Sequence, residues 1–211
     1  MKEIKQTTYK GTRVLLGNEK RQLLNKMSDY LVYIGYNEIQ IPIIQLEENF
    51  KNKVGKENNN MMYCFKDRGN RNLVLAPEYT SIVQNLANSY FKPYKDIKLF
   101  YIQECFRGER QQFGRWRQFT QLGIEILNPS KDYNIELQNL ASYLISFVTN
   151  KTLVNSNVTR GLDYYKEGKG FEIVCEELKT AKQICGGGEY KEGIGFAIGI
   201  DRLMLLNNIK E

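Results

Sequence analysis

Phe100 to Leu127, FYIQECFRGERQQFGRWRQFTQLGIEIL, is the stretch that decides how this chain is read. It predicts two strands around a basic, glycine-containing connection. Phe100, Ile102 and Glu104 alternate with Tyr101, Gln103 and Cys105, and the return from Arg117 to Leu127 carries Phe119, Leu122, Ile124 and Ile126 as its apolar positions. Arg107, Arg110, Arg115 and Arg117 stand around the connection with Gly108, Glu109 and Gly114. A guanidinium is a planar fork that grips phosphate oxygens in pairs, so arginines held by a hairpin suit a polyanion. By composition alone, an exposed basic hairpin, or one that sits on nucleic acid, fits equally well.

The order of these residues narrows the choice. Arg107-x-Glu109-Arg110, then Gly114-Arg115-x-Arg117-Gln118-Phe119-x-Gln121-x-Gly123-x-Glu125, resembles motif 2 of class II aminoacyl-tRNA synthetases, in its histidyl-tRNA synthetase form. The bulk numbers are compatible. A chain of 211 residues suits one domain, 1–211, with a sizeable core. Hydrophobic content of 42% beside 26% charged residues is ordinary for a globular protein. A net charge of +6 and a pI near 9.0 permit a nucleotide or RNA partner without requiring one. The N-terminus, MKEIKQTTYKGTR, lacks the apolar run of a signal peptide, and no membrane-spanning run occurs, so a cytoplasmic protein is expected.

Cys64, Cys105, Cys175 and Cys185 form no CxxC pair and read as free thiols. The chain has no histidine. That excludes histidine-based acid–base chemistry, a Ser-His-Asp triad and the commonest zinc sites, and no metal ligand set is expected. Catalysis here would rest on arginine, carboxylates, tyrosine, backbone and a metal ion borrowed from a substrate. Amino-acid activation is of that kind, depending on positioning and charge stabilisation.

Other segments extend the resemblance. Lys10-Gly11-Thr12-Arg13 is similar to the lead-in of the synthetase domain. A helix is predicted from an Asn18 cap to Ile34, ended by Gly35, and then a strand through Ile39, Ile41 and Ile43 that contains Pro42. Together they resemble motif 1, which implies a homodimer. Glu47 to Asn60, polar and asparagine-rich, reads as a mobile loop, and the resemblance implies that it lies near the active site. Met61 to Lys66 and Arg71 to Leu75 read as a hairpin turning at Asp67-Arg68-Gly69-Asn70. A helix is predicted from Pro77 to about Tyr90.

Ala76-Pro77-Glu78-Tyr79-Thr80 resembles the family's Arg-Pro-Glu-Gly-Thr element, although Glu78 also suits the positive end of a helix. Two departures matter: Ala76 stands for arginine, and Tyr79 stands for glycine, where it would narrow the pocket or shift the ligand. A helix from Tyr133 to Val148 follows motif 2. Only residues 126–159 separate Glu125 from Arg160, too few for the insertion domain of full-length histidyl enzymes.

Arg160-Gly161-Leu162-Asp163-Tyr164-Tyr165 resembles the histidine-specific signature of those enzymes. Cys185-Gly186-Gly187-Gly188-Glu189-Tyr190 resembles their second histidine element. It reads as a glycine-rich loop with Glu189 in place of arginine and Lys191 in place of aspartate. Gly195 to Leu203 resembles motif 3, running from strand into helix; the chain then ends at Glu211, and no anticodon-binding domain is expected.

The resemblance implies an α+β fold, a class II synthetase-like antiparallel sheet flanked by helices. It implies activation of histidine by ATP with Mg²⁺, with tRNA or another acceptor to follow. Arg107 and Arg160 would be catalytic. Arg107, Glu109, Arg115, Phe119 and Arg202 would bind ATP, with adenine between Phe119 and Arg202. Glu78, Thr80 and Gln121 would hold the amino group, and Glu125, Tyr164 and Tyr165 would complete the histidine site. A further departure is Thr120, where the family usually has histidine. The alternative is a non-catalytic histidine-binding paralogue resembling the regulatory subunit of ATP phosphoribosyltransferase.

Overall fold

The computed structural model describes residues 18–51, 53, 59–110 and 112–208; Lys10 to Arg13 and part of the 47–60 segment lie outside them. Helix α1, Glu19–Tyr33, buries Leu23, Met27 and Leu31 along one face. Asn18 occupies the cap position but makes no side-chain cap bond. Gly35, at φ +89°, carries the chain out of the helix, its N–H on the Val32 carbonyl at 3.0 Å.

Seven strands form the main sheet: β1 (Asn37–Glu38), β5 (Ile97–Phe106), β6 (Gln118–Leu127), β7 (Leu153–Val158), β8 (Tyr165–Val174), β9 (Gln183–Tyr190) and β10 (Gly193–Gly199). Their order is β1-β5-β6-β10-β9-β8-β7. All pairs are antiparallel except β1 with β5. A smaller sheet contains β2 (Ile44–Leu46), β4 (Asn72–Leu75) and β3 (Tyr63–Lys66) in that order. The strand expected across Ile39, Ile41 and Ile43 does not form. The chain crosses there from the large sheet to the small one, with Pro42, which has no N–H to give a ladder, inside the crossing.

The sheet has two different faces. On one, Phe100, Leu122, Ile124, Ile126, Phe196 and Ile198 pack in the core shared by α1, α3 (Asn134–Ser146) and α4 (Ile200–Asn208). On the other, Leu99, Tyr101, Cys105 and Tyr190 meet Val83 and Ala87 of α2, Thr80–Ser89. The chain passes from β6 to β7 through α3 alone.

Helix α2 starts at Thr80, three residues later than Pro77. The Ala76 carbonyl accepts from Phe106 N–H at 2.9 Å and the Pro77 carbonyl from Arg107 Nε at 3.0 Å, so this segment is tied to the end of β5 instead. Cys185 to Tyr190 is also not a loop. It forms most of β9, and its glycines serve by lacking side chains rather than by turning the chain.

Strand register explains why. Tyr101, Gly123, Ala197, Gly186 and Glu172 lie opposite one another across five strands, and Leu99, Glu125, Gly195, Gly188 and Gly170 form a second row. These rows hollow the α2 face. A Cβ on Gly123 would stand 2.0 Å from Cζ of the buried Tyr101 ring. Gly123→Ala is therefore expected to cost about 1–3 kcal/mol in urea unfolding. Gly161→Ala, with nothing within 4 Å of the added carbon, should stay within about 0.5 kcal/mol.

Candidate active site

The hollow face holds a cavity of about 500 Å³, within the usual range for a small-molecule site. Its walls are supplied by the β5–β6 connection, the start of α2, the 160–165 loop, β9 and the β10–α4 junction. Arg107, Glu109, Arg115, Phe119, Gln121, Glu78, Thr80, Arg160, Tyr164, Tyr165 and Arg202 all line it. Eleven of the twelve residues singled out from sequence thus converge on one space.

Glu125 is the exception. It lies behind the lining and is fully buried. Its Oε1 accepts from Thr80 Oγ1 at 2.7 Å, and its Oε2 accepts from Tyr190 OH at 2.9 Å. A Cβ on Gly195 would meet Oε2 at 1.7 Å, so only glycine lets this carboxyl lie against β10. Burial outweighs the two donated bonds and pushes the Glu125 carboxyl up to about 8.

Glu78 is raised by the same cause, against bonds from Ser81 and Tyr164. It does two things at once. It accepts from the Ser81 N–H in the first turn of α2 at 3.2 Å, and from Tyr164 OH at 3.1 Å across the cavity. Tyr164 and Tyr165 lie with ring centroids 4.6 Å apart, and both pack edge-on toward Tyr190.

The arginines form a second cluster, which Arg107, tied to the Pro77 carbonyl beside Glu78, joins to the acids. Arg107 places Cζ 5.2 Å from the Phe119 ring centroid. Arg115 stands 3.5 Å from Glu109. Arg202 donates from Nε to the Gly114 carbonyl at 3.0 Å and from Nη1 to the Gln183 carbonyl at 2.6 Å. Burial first, and then the neighbouring Arg115, pull Arg202 below its usual value. The cation above Phe119 is thus Arg107, while Arg202 is fixed by two main-chain carbonyls.

Arg160 lies flat on the sheet. A Cβ on Gly186 would stand 2.2 Å from its Nη2, and one on Gly170 would stand 2.6 Å from its Cγ. Glu172 is 3.7 Å from Nη1. The loop that carries Arg160 is pinned by Asp163 N–H on the Lys53 carbonyl at 3.0 Å.

The departures from the family pattern sit elsewhere than in the cavity. Tyr79 neither narrows the pocket nor reaches it. Its ring is buried in the core 5.4 Å from Tyr101, and its hydroxyl donates to the Glu104 carbonyl at 2.8 Å. Ala76 is buried in the same cluster. Glu189 turns away and pairs with Lys166.

Thr120 faces the other side of the sheet, in a network that sequence reasoning missed. Lys20 Nζ donates to Thr120 Oγ1 at 2.5 Å and to Asp201 Oδ1 at 2.9 Å. Thr120 donates its N–H to Asp201 Oδ2 and its hydroxyl to Glu104 Oε1, each at 2.5 Å. Asp201 and Gln183 also line the cavity and were not expected there. Asp201 was detectable as the neighbour of Arg202 in the strand-to-helix motif. Gln183 gave no signal.

An antiparallel sheet with a hollowed face, arginines at one end and buried acids at the other is the catalytic fold of class II aminoacyl-tRNA synthetases. Comparison with known proteins agrees. Residues 17–154 match the family described as Histidyl-tRNA synthetase. The histidine–tRNA ligase of Clostridioides difficile is 28% identical, over 93% of this chain and 73% of its own. That alignment runs over 313 positions against 211 residues here, so stretches of the relative have no counterpart in this chain. The crystal structure of apo S. aureus histidyl-tRNA synthetase superposes with a TM-score of 0.77 at 26% identity, covering 96% of this chain and 70% of that one. A Bacillus halodurans structure described as an ATP phosphoribosyltransferase regulatory subunit/histidyl-tRNA synthetase superposes at 0.78 over 99% and 84%, with 15% identity, and shares the fold. The chain belongs to the histidyl-tRNA synthetase family. Among the described residues no helix is long and apolar enough to cross a membrane.

Glu125 supplies a stability test. The unfolded chain loses this proton near pH 4.5, whereas the folded chain holds it to about 8. In that window the folded state binds more protons than the unfolded one. Stability therefore falls as pH rises, by at most about 1.4 kcal/mol per pH unit from one group. Glu125→Gln removes this slope. Its denaturant midpoint should gain on the wild type steadily from pH 5 to pH 8; parallel pH profiles would contradict the assignment.

Proposed function

We propose that this chain activates histidine with ATP. A carboxylate oxygen of histidine attacks the α-phosphorus, the bond to the bridging oxygen of the β-phosphate breaks, and histidyl-adenylate and pyrophosphate form. The observation that carries this reading is one cavity with Arg107, Arg115, Arg160 and Arg202 around it, Glu78 in its wall and Glu125 buried behind that wall. A polyanion and an amino acid with a cationic amino group fit those two clusters.

In this reading Arg107 holds the α-phosphate and Arg160 stabilises the attacking carboxylate and the charge that develops as the bond forms. Arg115 and Glu109 take the distal phosphates. Phe119 stacks on adenine, with Arg202 held opposite. Glu78, Thr80 and Gln121 receive the amino group. Tyr164 and Tyr165 form the wall for the imidazole, and Glu125 reads it through Thr80's edge of the cavity. Glu125 acts through the two hydroxyls that its oxygens orient, Thr80 Oγ1 and Tyr190 OH. Among the described residues no three Asp, Glu, His or Cys side chains converge into a metal-binding group. Mg²⁺ would enter with the nucleotide substrate, neutralising phosphate charge.

The acceptor that follows is tRNA or another nucleophile. The passage from β6 to β7 through α3 alone favours an acceptor that makes few contacts on that side. A homodimer paired through the small sheet is part of the same reading, supported by the exposed Ile43, Ile44, Leu46 and Phe65.

The test is amino-acid-dependent ATP–pyrophosphate exchange. Histidine alone among the twenty amino acids should support it, and Arg160→Ala or Arg107→Ala should lower kcat by about 10²–10³-fold. Histidine binding without exchange would instead leave a binding protein that does not activate.

A further inference from the structure

Gln183 opens β9 at a break in register. Val174 pairs with Gln183 and Ile173 pairs with Cys185, so β9 carries Ile184 as an extra residue there. Such a bulge re-aims the side chains beside it. Gly186 faces the cavity beneath Arg160 and Cys185 packs in the apolar core on the other side, so strict alternation would send Gln183 to the core as well; it lines the cavity instead. The histidyl-type motif begins at Cys185 and assigns nothing to Gln183.

The re-aimed residue touches both Arg160 and Arg202. With its amide in the orientation that satisfies both groups, Gln183 Oε1 accepts from Arg160 Nη1 at 2.9 Å and from Nη2 at 3.0 Å. Its main-chain carbonyl accepts from Arg202 Nη1 at 2.6 Å. Glu172, at 3.7 Å, is beyond direct hydrogen-bond reach of Arg160. The paired bonds that set the plane of the Arg160 guanidinium therefore come from a neutral carbonyl. A neutral acceptor orients the cation without adding a second negative charge to that of Glu172.

We propose that Gln183 is a positioning residue for amino-acid activation: its side chain holds Arg160 in the plane that meets the reacting carboxylate, while its backbone holds Arg202 independently. This rests on the activation reading above. The two halves separate by substitution, because a side-chain change leaves the main-chain carbonyl on Arg202.

The experiment uses the full chain with Gln183→Met, which keeps length and loses the acceptor, and Gln183→Glu, which keeps it. Two readouts are taken: ATP–pyrophosphate exchange with histidine, and ¹⁵N spectra of the arginine side chains, with Arg160 assigned through Arg160→Lys. In the wild type the two Nη groups of Arg160 should give separate signals, because the paired bonds hinder rotation. In Gln183→Met they should merge, and kcat should fall at least tenfold while the KM for ATP stays within twofold. Gln183→Glu should restore separate signals and an intermediate kcat. A residue that merely supports β9 would move Arg202 as well and raise the KM for ATP. That result, or a Gln183→Met variant with separate Nη signals, would overturn the proposal. If the wild type exchanges with no amino acid, the activation reading fails, and the proposal, which rests on it, fails with it; the Nη spectra then show separately whether Gln183 still orders Arg160.

Discussion

Close approach to a bare backbone is the constraint on which this site depends. A guanidinium or a carboxyl cannot lie flat on a sheet whose facing residues carry side chains. Arg160 lies over Gly186 and Gly170, Glu125 against Gly195, and the Tyr101 ring over Gly123. Each would collide with a single added carbon at 2.6 Å or less. The glycines fall in two register rows across adjacent strands, so the hollow is a property of strand pairing as much as of composition. The face under α1, α3 and α4 has no such rows and packs as an ordinary apolar core.

The hollow then sorts charge. Its inner end contains carboxyls that burial drives toward the protonated form, Glu125 up to about 8 and Glu78 in the same direction. Its outer end contains arginines that cannot shed their charge and are anchored by carbonyl oxygens: Arg107 by Pro77, Arg202 by Gly114 and Gln183. Carbonyl anchors orient a cation without neutralising it, so the field at that end stays positive. An ammonium at the inner end would supply the counter-charge that lets these carboxyls ionise, and phosphates suit the outer end.

Much of this was legible in the sequence because the hairpin obeys simple alternation. Leu122, Ile124 and Ile126 face the helices as their spacing requires, and Gln121 and Glu125 take the other face by the same rule. The cavity residues cluster in segments whose order carries the family resemblance. What was not legible depends on the exact place where an element starts or on contacts far apart in the chain. Tyr79 looks like a pocket residue only if the helix begins at Pro77; with the start at Thr80 its ring turns into the core. Glu189 is one residue off the glycine face of β9 and points away. The Lys20–Thr120–Asp201 network joins residues 100 and 181 positions apart, which no local pattern announces. Gln183 reaches the cavity only because of a bulge.

The central claim is that the two ends of one hollow receive histidine and ATP together. A crystal structure with histidine and a non-hydrolysable ATP analogue tests it most directly. The account predicts the carboxylate of histidine against Arg160, its amino group at Glu78 and Thr80, its imidazole toward Tyr165 and Glu125, and the triphosphate between Arg107 and Arg115. Either ligand bound outside the hollow, or the amino acid reversed with its carboxylate toward Glu78, would contradict it.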